Sequence, residues 1–210
     1  MKSRFHLGWP NRVTLARLLL VWPFAACLLY LSDPELAWLR WVALGIFGLM
    51  AISDALDGFL ARRLNDESVL GRFLDPLADK LLITVAVLML ALVGVRRSSG
   101  DAVIAELHLP GWVALAAVAK DLIVSLGFAV IYFYTGRAFL QPRLIGKCCT
   151  AVQLVMVLAV LLWPDLPVWL SFLPRVLWYT ATALAVAAAI DYVRLGSRQV
   201  ACAEAGQEPR

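Results

Sequence analysis

Asp54, Asp57, Asp75 and Asp79 lie inside stretches that are otherwise apolar and long enough to read as membrane spans. Their spacing, three residues within the first pair and four within the second, puts each pair on one face of a helix, because such side chains stack one above the other. Ionised carboxylates in hydrocarbon are costly unless they are paired or coordinated. Four of them on two consecutive helices call for a compensating cation, so a divalent-metal site within a membrane is the leading expectation.

Composition agrees with that class. Of 210 residues, 62% are hydrophobic and only 16% charged, more apolar surface than a soluble domain of this size can hide. The net charge of +4 comes from basic residues that flank apolar runs. They read as topology signals and contacts to anionic lipid headgroups, and nucleic acid is not an expected partner. Cys27, Cys148, Cys149 and Cys202 have no metal or redox spacing and read as reduced residues. The first apolar run is of full span length and lacks a convincing small-residue cleavage site, unlike a secretory signal peptide.

A span needs about 20 apolar residues. Six segments qualify, at residues 13–31, 36–60, 73–93, 112–134, 144–163 and 176–193. The expected fold class is therefore an all-α integral membrane protein, a six-transmembrane-helix bundle. One catalytic domain would occupy residues 1–200, with 201–210 a flexible polar tail. Lys2, Arg4, Arg12, Arg17, Arg62, Arg63, Arg72, Arg137, Arg143, Lys147, Arg194, Arg198 and Arg210 fall on one side of such a bundle. Arg40, Arg96, Arg97 and Arg175 fall on the other, diluted by acidic residues. The positive-inside rule then puts both termini in the cytoplasm, and a bacterial inner membrane is the expected location. Asp57 precedes Arg62 and Asp75 follows Arg72, which places both on the order of 5–8 Å inside the cytoplasmic boundary. Asp54 and Asp79 lie about one turn deeper. The expectation is one carboxylate cluster open to the cytosol. Trp112, Trp163, Trp169 and Trp178 gather toward the opposite face and read as an aromatic belt.

Oxygen-only ligands suit a hard cation, Mg²⁺ or Mn²⁺. Two such ions sharing carboxylates can clamp a phosphoryl group. Gly58, Ala61 and Gly71 are small, which serves close helix packing or lets phosphates approach the backbone. Arg62 beside them is either an interfacial anchor or a neutraliser of those phosphates. A cation or proton transporter is the competing class, since it too uses carboxylates in a membrane. A purely structural quartet is disfavoured, because only Lys80 and Lys120 stand in the spans to balance it.

The complete string is more specific. Asp54-Ala-Leu-Asp57-Gly58-Phe-Leu-Ala61-Arg62, eight residues, then Gly71-Arg-Phe-Leu-Asp75-Pro-Leu-Ala-Asp79 matches every fixed position of DxxDGxxAR-x8-GxxxDxxxD. By this signature the chain resembles the CDP-alcohol phosphatidyltransferase family. Pro10-Asn11, Thr14 and Arg17 are similar to that family's PNxxTxxR opening, and Gly146-Lys147 with Thr150 and Gln153 to the start of its fifth span. The resemblance implies six transmembrane helices, a homodimer, and transfer of a phosphatidyl group from a CDP-linked lipid such as CDP-diacylglycerol to an alcohol, with release of CMP. It implies metal ligation by Asp54, Asp57, Asp75 and Asp79, with Asp79 also the candidate catalytic base. Thr14, Asp57, Gly58, Ala61, Arg62, Gly71 and Asp75 would surround the CDP group.

The acceptor is less sharply marked. Lys120, Arg137, Arg143, Lys147 and Arg194 form a second basic set suited to a phosphate on the acceptor, although positive-inside loops explain the loop members equally well. Phosphatidylglycerophosphate synthases, which use glycerol 3-phosphate, typically show Arg-Glu in the fourth span and GKxKT opening the fifth. Here Lys120-Asp121 and Gly146-Lys147-Cys148-Cys149-Thr150 stand in those places, so the second lysine is missing. The stretch 147–153 resembles cardiolipin synthases of the eukaryotic type somewhat better. A lost lysine also suits phosphatidylglycerol, a phosphodiester acceptor. That acceptor is favoured here, with glycerol 3-phosphate second and inositol phosphate or another alcohol behind.

Overall fold

The computed structural model describes the backbone of residues 9–64, 69–99, 102–135 and 144–204, and side chains within 15–33, 35–53, 80–97, 105–127 and 144–197. Six α-helices are present among the described residues: α1 (Trp9–Leu29), α2 (Leu39–Leu64), α3 (Val69–Leu92), α4 (Gly111–Thr135), α5 (Leu144–Leu162) and α6 (Leu173–Glu204). They occupy the six apolar segments. Leu144–Asp165 and Val168–Ser197 are long and apolar enough to cross a membrane, and shorter apolar stretches run over Leu15–Leu29, Leu39–Ser53 and Lys80–Leu92.

The chain is not purely helical. Two antiparallel strands, β1 (Val95–Ser99) and β2 (Ala102–Leu107), stand between α3 and α4. Gly100-Asp101, between the strands in sequence, is a two-residue hairpin signal, and Val95, Val103 and Ile104 are β-branched. Val95 pairs with Leu107 and Arg96 with Glu106, and the register shifts between Arg97 and Ser98. Arg96 donates to the Ser32 carbonyl at 2.6 Å and to Glu106 Oε1 at 3.2 Å, while the Ser32 hydroxyl donates to the Val93 carbonyl at 3.0 Å. These bonds fasten the hairpin to the connection after α1. Gly94 turns the chain into β1 with φ of 74°, and a Cβ there would lie 2.6 Å from the His108 ring. Only glycine fits both the angle and the space.

Contacts divide the chain into two compact units, Met1–His108 and Leu109–Arg210. In the first, α1 packs on both α2 and α3. Its buried stripe, Val21, Phe24 and Leu28, repeats at helical spacing, as does Ala43, Phe47 and Met50 on α2, and Leu31 in the turn after α1 is buried as well. Phe24 and Phe47 stack with centroids 5.7 Å apart. Leu19, Trp22, Trp41, Leu49 and Ile52 of the same two helices are exposed apolar residues. Arg17 of α1 is buried, only 3% exposed.

In the second unit α6 is the hub, packing on both α4 and α5. Trp178, Ala181, Ala185 and Ala188 of α6 are buried, as are Val113, Ala114 and Ala117 of α4 and Met156, Val157 and Val160 of α5. Small residues at these positions let the helix backbones approach closely. Trp178 and Trp163 are each 7% exposed and pack inward, unlike residues of an aromatic belt, whereas Trp112, whose ring lies 5.4 Å from that of Tyr179, and Trp169 are exposed. α6 runs to Glu204, past residue 193 where the apolar pattern ends, because its last turns lack a helix breaker other than Gly196. Two short 3₁₀ turns, Trp163–Asp165 and Val168–Leu170, fill the connection between α5 and α6.

Ala185→Leu should overpack the α6 contact and cost about 1–3 kcal/mol. Thermal unfolding of the detergent-purified protein checks this; an unchanged midpoint would mean that the stripe is not a packing face.

Candidate active site and its relatives

The backbone places Asp54 and Asp57 in α2, and Asp75 and Asp79 in α3. Helical geometry keeps each pair on one face. Asp57 and Asp75 each lie about 10 Å from the end of their helix that adjoins residues 65–68. Gly58, Ala61 and Arg62 share α2, Gly71 shares α3, and Thr14 sits in α1, the helix that packs on both. The side chains of all these residues lie outside the described set, as do Arg137 and Arg143 entirely. The donor set itself fits a hard divalent cation, being four carboxylates in two helical pairs and no soft ligand. Among the described side chains, no three His, Cys, Asp or Glu gather into a competing metal site.

The second unit is described in more detail. Lys147 and Arg194 are exposed, on the first turn of α5 and the latter half of α6. Lys120 is not exposed with them. It is 6% exposed on α4, its amine 3.1 Å from Asp121 Oδ1 and donating to Gln153 Oε1 at 3.2 Å. It also interacts with the Cys149 side chain. Gln153 is 1% exposed and Cys149 fully buried. Gly146, Cys149 and Gln153 follow the i, i+3, i+7 stripe that faces the bundle. At the top of that stripe a Cβ on Gly146 would lie 3.5 Å from the Tyr192 hydroxyl of α6. Thr150 donates its hydroxyl proton to the Gly146 carbonyl at 3.2 Å. Tyr192 and the Gln153–Lys120 bond are the polar features whose roles the sequence leaves open. The available signal was a glutamine standing seven residues after Gly146 in an apolar run.

The sequence profile of CDP-alcohol phosphatidyltransferases matches residues 7–193. The chain belongs to the CDP-alcohol phosphatidyltransferase family. A CDP-diacylglycerol--glycerol-3-phosphate 3-phosphatidyltransferase from Salmonella choleraesuis (strain SC-B67) is 32% identical over 188 residues, covering 88% of this chain and 92% of that protein. Proteins of the same name from Shigella flexneri serotype 5b (strain 8401) and Escherichia coli (strain K12) are each 31% identical over the same coverage. The protein is thus a transferase of substituted phosphate groups, in phospholipid biosynthesis, and the transporter class is set aside. CDP-alcohol phosphatidyltransferases generally use divalent metal ions.

The rotation of α5 gives a direct chemical check. Cys148 is exposed and Cys149 buried. N-ethylmaleimide applied to the folded protein should label Cys148 well before Cys149, read by peptide mass spectrometry; equal rates would mean that α5 presents a different face.

Proposed function

We propose that this phosphatidyltransferase joins the phosphatidyl group of CDP-diacylglycerol to glycerol 3-phosphate and releases CMP. The observation that carries this reading is the match, over 88% of the chain, to relatives whose names specify glycerol 3-phosphate. It replaces phosphatidylglycerol, the acceptor favoured by the missing lysine of GKxKT. The burial of Cys149 removes the force of that argument. Position 149 belongs to the inward stripe of α5, beside Lys120, so a cysteine there takes no cation away from the exposed Lys147.

On this proposal the six helices span the membrane with both termini cytoplasmic, in the inner membrane of a bacterium, and residues 1–200 act as one catalytic domain. A homodimer belongs to the same expectation. Asp54, Asp57, Asp75 and Asp79 would hold two Mg²⁺ or Mn²⁺ ions, which when bound would screen the pyrophosphate and the departing CMP. Thr14, Gly58, Ala61, Arg62 and Gly71 would receive the CDP group, with Arg62 paired to its phosphates. Asp79 takes the proton of the acceptor hydroxyl as that oxygen attacks the lipid-side phosphorus and the bond to CMP breaks. Arg137, Arg143, Lys147 and Arg194 would bind the acceptor phosphate. A site just beneath the cytoplasmic interface lets the polar head enter from water while both acyl chains stay in lipid.

Purified protein given CDP-diacylglycerol, Mn²⁺ and separate acceptors should yield phosphatidylglycerophosphate with CMP, identified by mass spectrometry. Cardiolipin from phosphatidylglycerol, with nothing from glycerol 3-phosphate, would overturn the acceptor. Chelation should abolish turnover, and Mn²⁺ or Mg²⁺ should restore it. Asp79→Asn should lower turnover by at least about a hundredfold, the scale of a lost general base, while donor binding persists. Full activity of that variant would remove Asp79 from the chemistry.

A further inference from the structure

Lys120, Asp121 and Gln153 form a buried polar cluster inside the second unit, and no step of the reaction needs it. The side chains of Lys120 and Asp121 are 7% and 15% exposed, and Gln153 is 1% exposed. A charge pair at this depth, about 14 Å from the start of α4, is costly to keep. Its arrangement indicates what it does. α4 and α5 both pack on α6 through small apolar residues, contacts that resist rotation of a helix only weakly in lipid. The Lys120–Gln153 bond crosses directly from α4 to α5 and is directional and charge-assisted. Gln153 lies on the stripe that includes Cys149 and Gly146, so fixing its direction fixes the direction of the whole first half of α5. Lys147 comes one residue after Gly146, about 100° around the helix, and is exposed because that stripe is turned inward.

We propose that Lys120, neutralised by Asp121 and bonded to Gln153, is a positioning residue that sets the rotation of α5 and so presents Lys147 to the acceptor phosphate. This rests on the reading of the acceptor as a phosphomonoester alcohol. It also removes Lys120 from the residues that touch the acceptor: its amine is already engaged by Asp121 and Gln153.

The test uses the purified full chain with CDP-diacylglycerol, glycerol 3-phosphate and Mn²⁺, together with maleimide labelling of Cys148 and Cys149. Lys120→Met should raise the KM for glycerol 3-phosphate about tenfold, the scale of one charge-assisted hydrogen bond, with the KM for CDP-diacylglycerol within about twofold. It should also narrow the labelling contrast between the two cysteines, and Lys120→Arg should restore both readings. An equal rise in both KM values, or an unchanged acceptor KM, overturns the inference, as does an unaltered labelling contrast. Should Lys120→Met fail to accumulate, Gln153→Leu keeps the charge pair, removes only the crossing bond, and decides by the same readings. If the wild-type protein makes nothing from glycerol 3-phosphate, the acceptor reading fails by itself. The labelling contrast still decides whether Lys120 sets the rotation.

Discussion

The amine of Lys120 lies between Asp121 and Gln153 in a unit whose other described core residues are nearly all apolar. Alanines on α6 bring α4 and α5 close, but small apolar surfaces discriminate poorly between neighbouring rotations of a helix in lipid. One buried, charge-assisted bond discriminates strongly, because a rotated helix would leave a cation and an amide without partners at a cost of several kcal/mol. The orientation of α5 therefore depends on a polar contact that is small in area. What faces the first turn of α5 follows from it, including the exposure of Lys147 and the burial of Cys149.

The same constraint governs the first unit by a different route. On the proposed function Asp54, Asp57, Asp75 and Asp79, which stand in apolar stretches of sequence, would need a cation to stay ionised, and their helical spacing would let them share one. That cation would come from solution, whereas Lys120 has its carboxylate in the adjacent residue. That difference separates a site that binds from a cluster that holds. On the proposed function the carboxylate quartet would take up divalent ions and, through them, phosphates. A lysine already matched by an aspartate and a glutamine has no such capacity to spare.

Helix positions were legible because each segment is apolar over the length of a span, and the aspartate signature was legible because its residues are local, nine or fewer positions apart within each helix. The hairpin was less so: Gly100-Asp101 is a turn signal, but the thirteen residues from Val95 to Leu107 carry two arginines and two acids that read equally well as a polar loop. Its attachment to the connection after α1 runs through Arg96 reaching Ser32, a contact across 64 positions that no local pattern encodes. The inward turn of Trp163 and Trp178 was hidden for a similar reason. Tryptophan suits both a lipid interface and a helix contact, and only the neighbours decide.

Acceptor choice shows where a linear motif stops being informative. GKxKT against Gly146-Lys147-Cys148-Cys149-Thr150 looks like the loss of one of two equivalent cations. On a helix they are not equivalent: residues 147 and 149 lie about 200° apart around the axis, so one can be open while the other is enclosed. Here Lys147 is exposed and Cys149 has no accessible surface. A lysine at 149 would enter the interior beside Lys120, where a second cation would need a further counter-charge. Having cysteine there spares that cost and leaves the exposed lysine of the turn in place. The missing lysine is therefore better explained by the charge balance of the α4–α5 contact than by the chemistry of the acceptor.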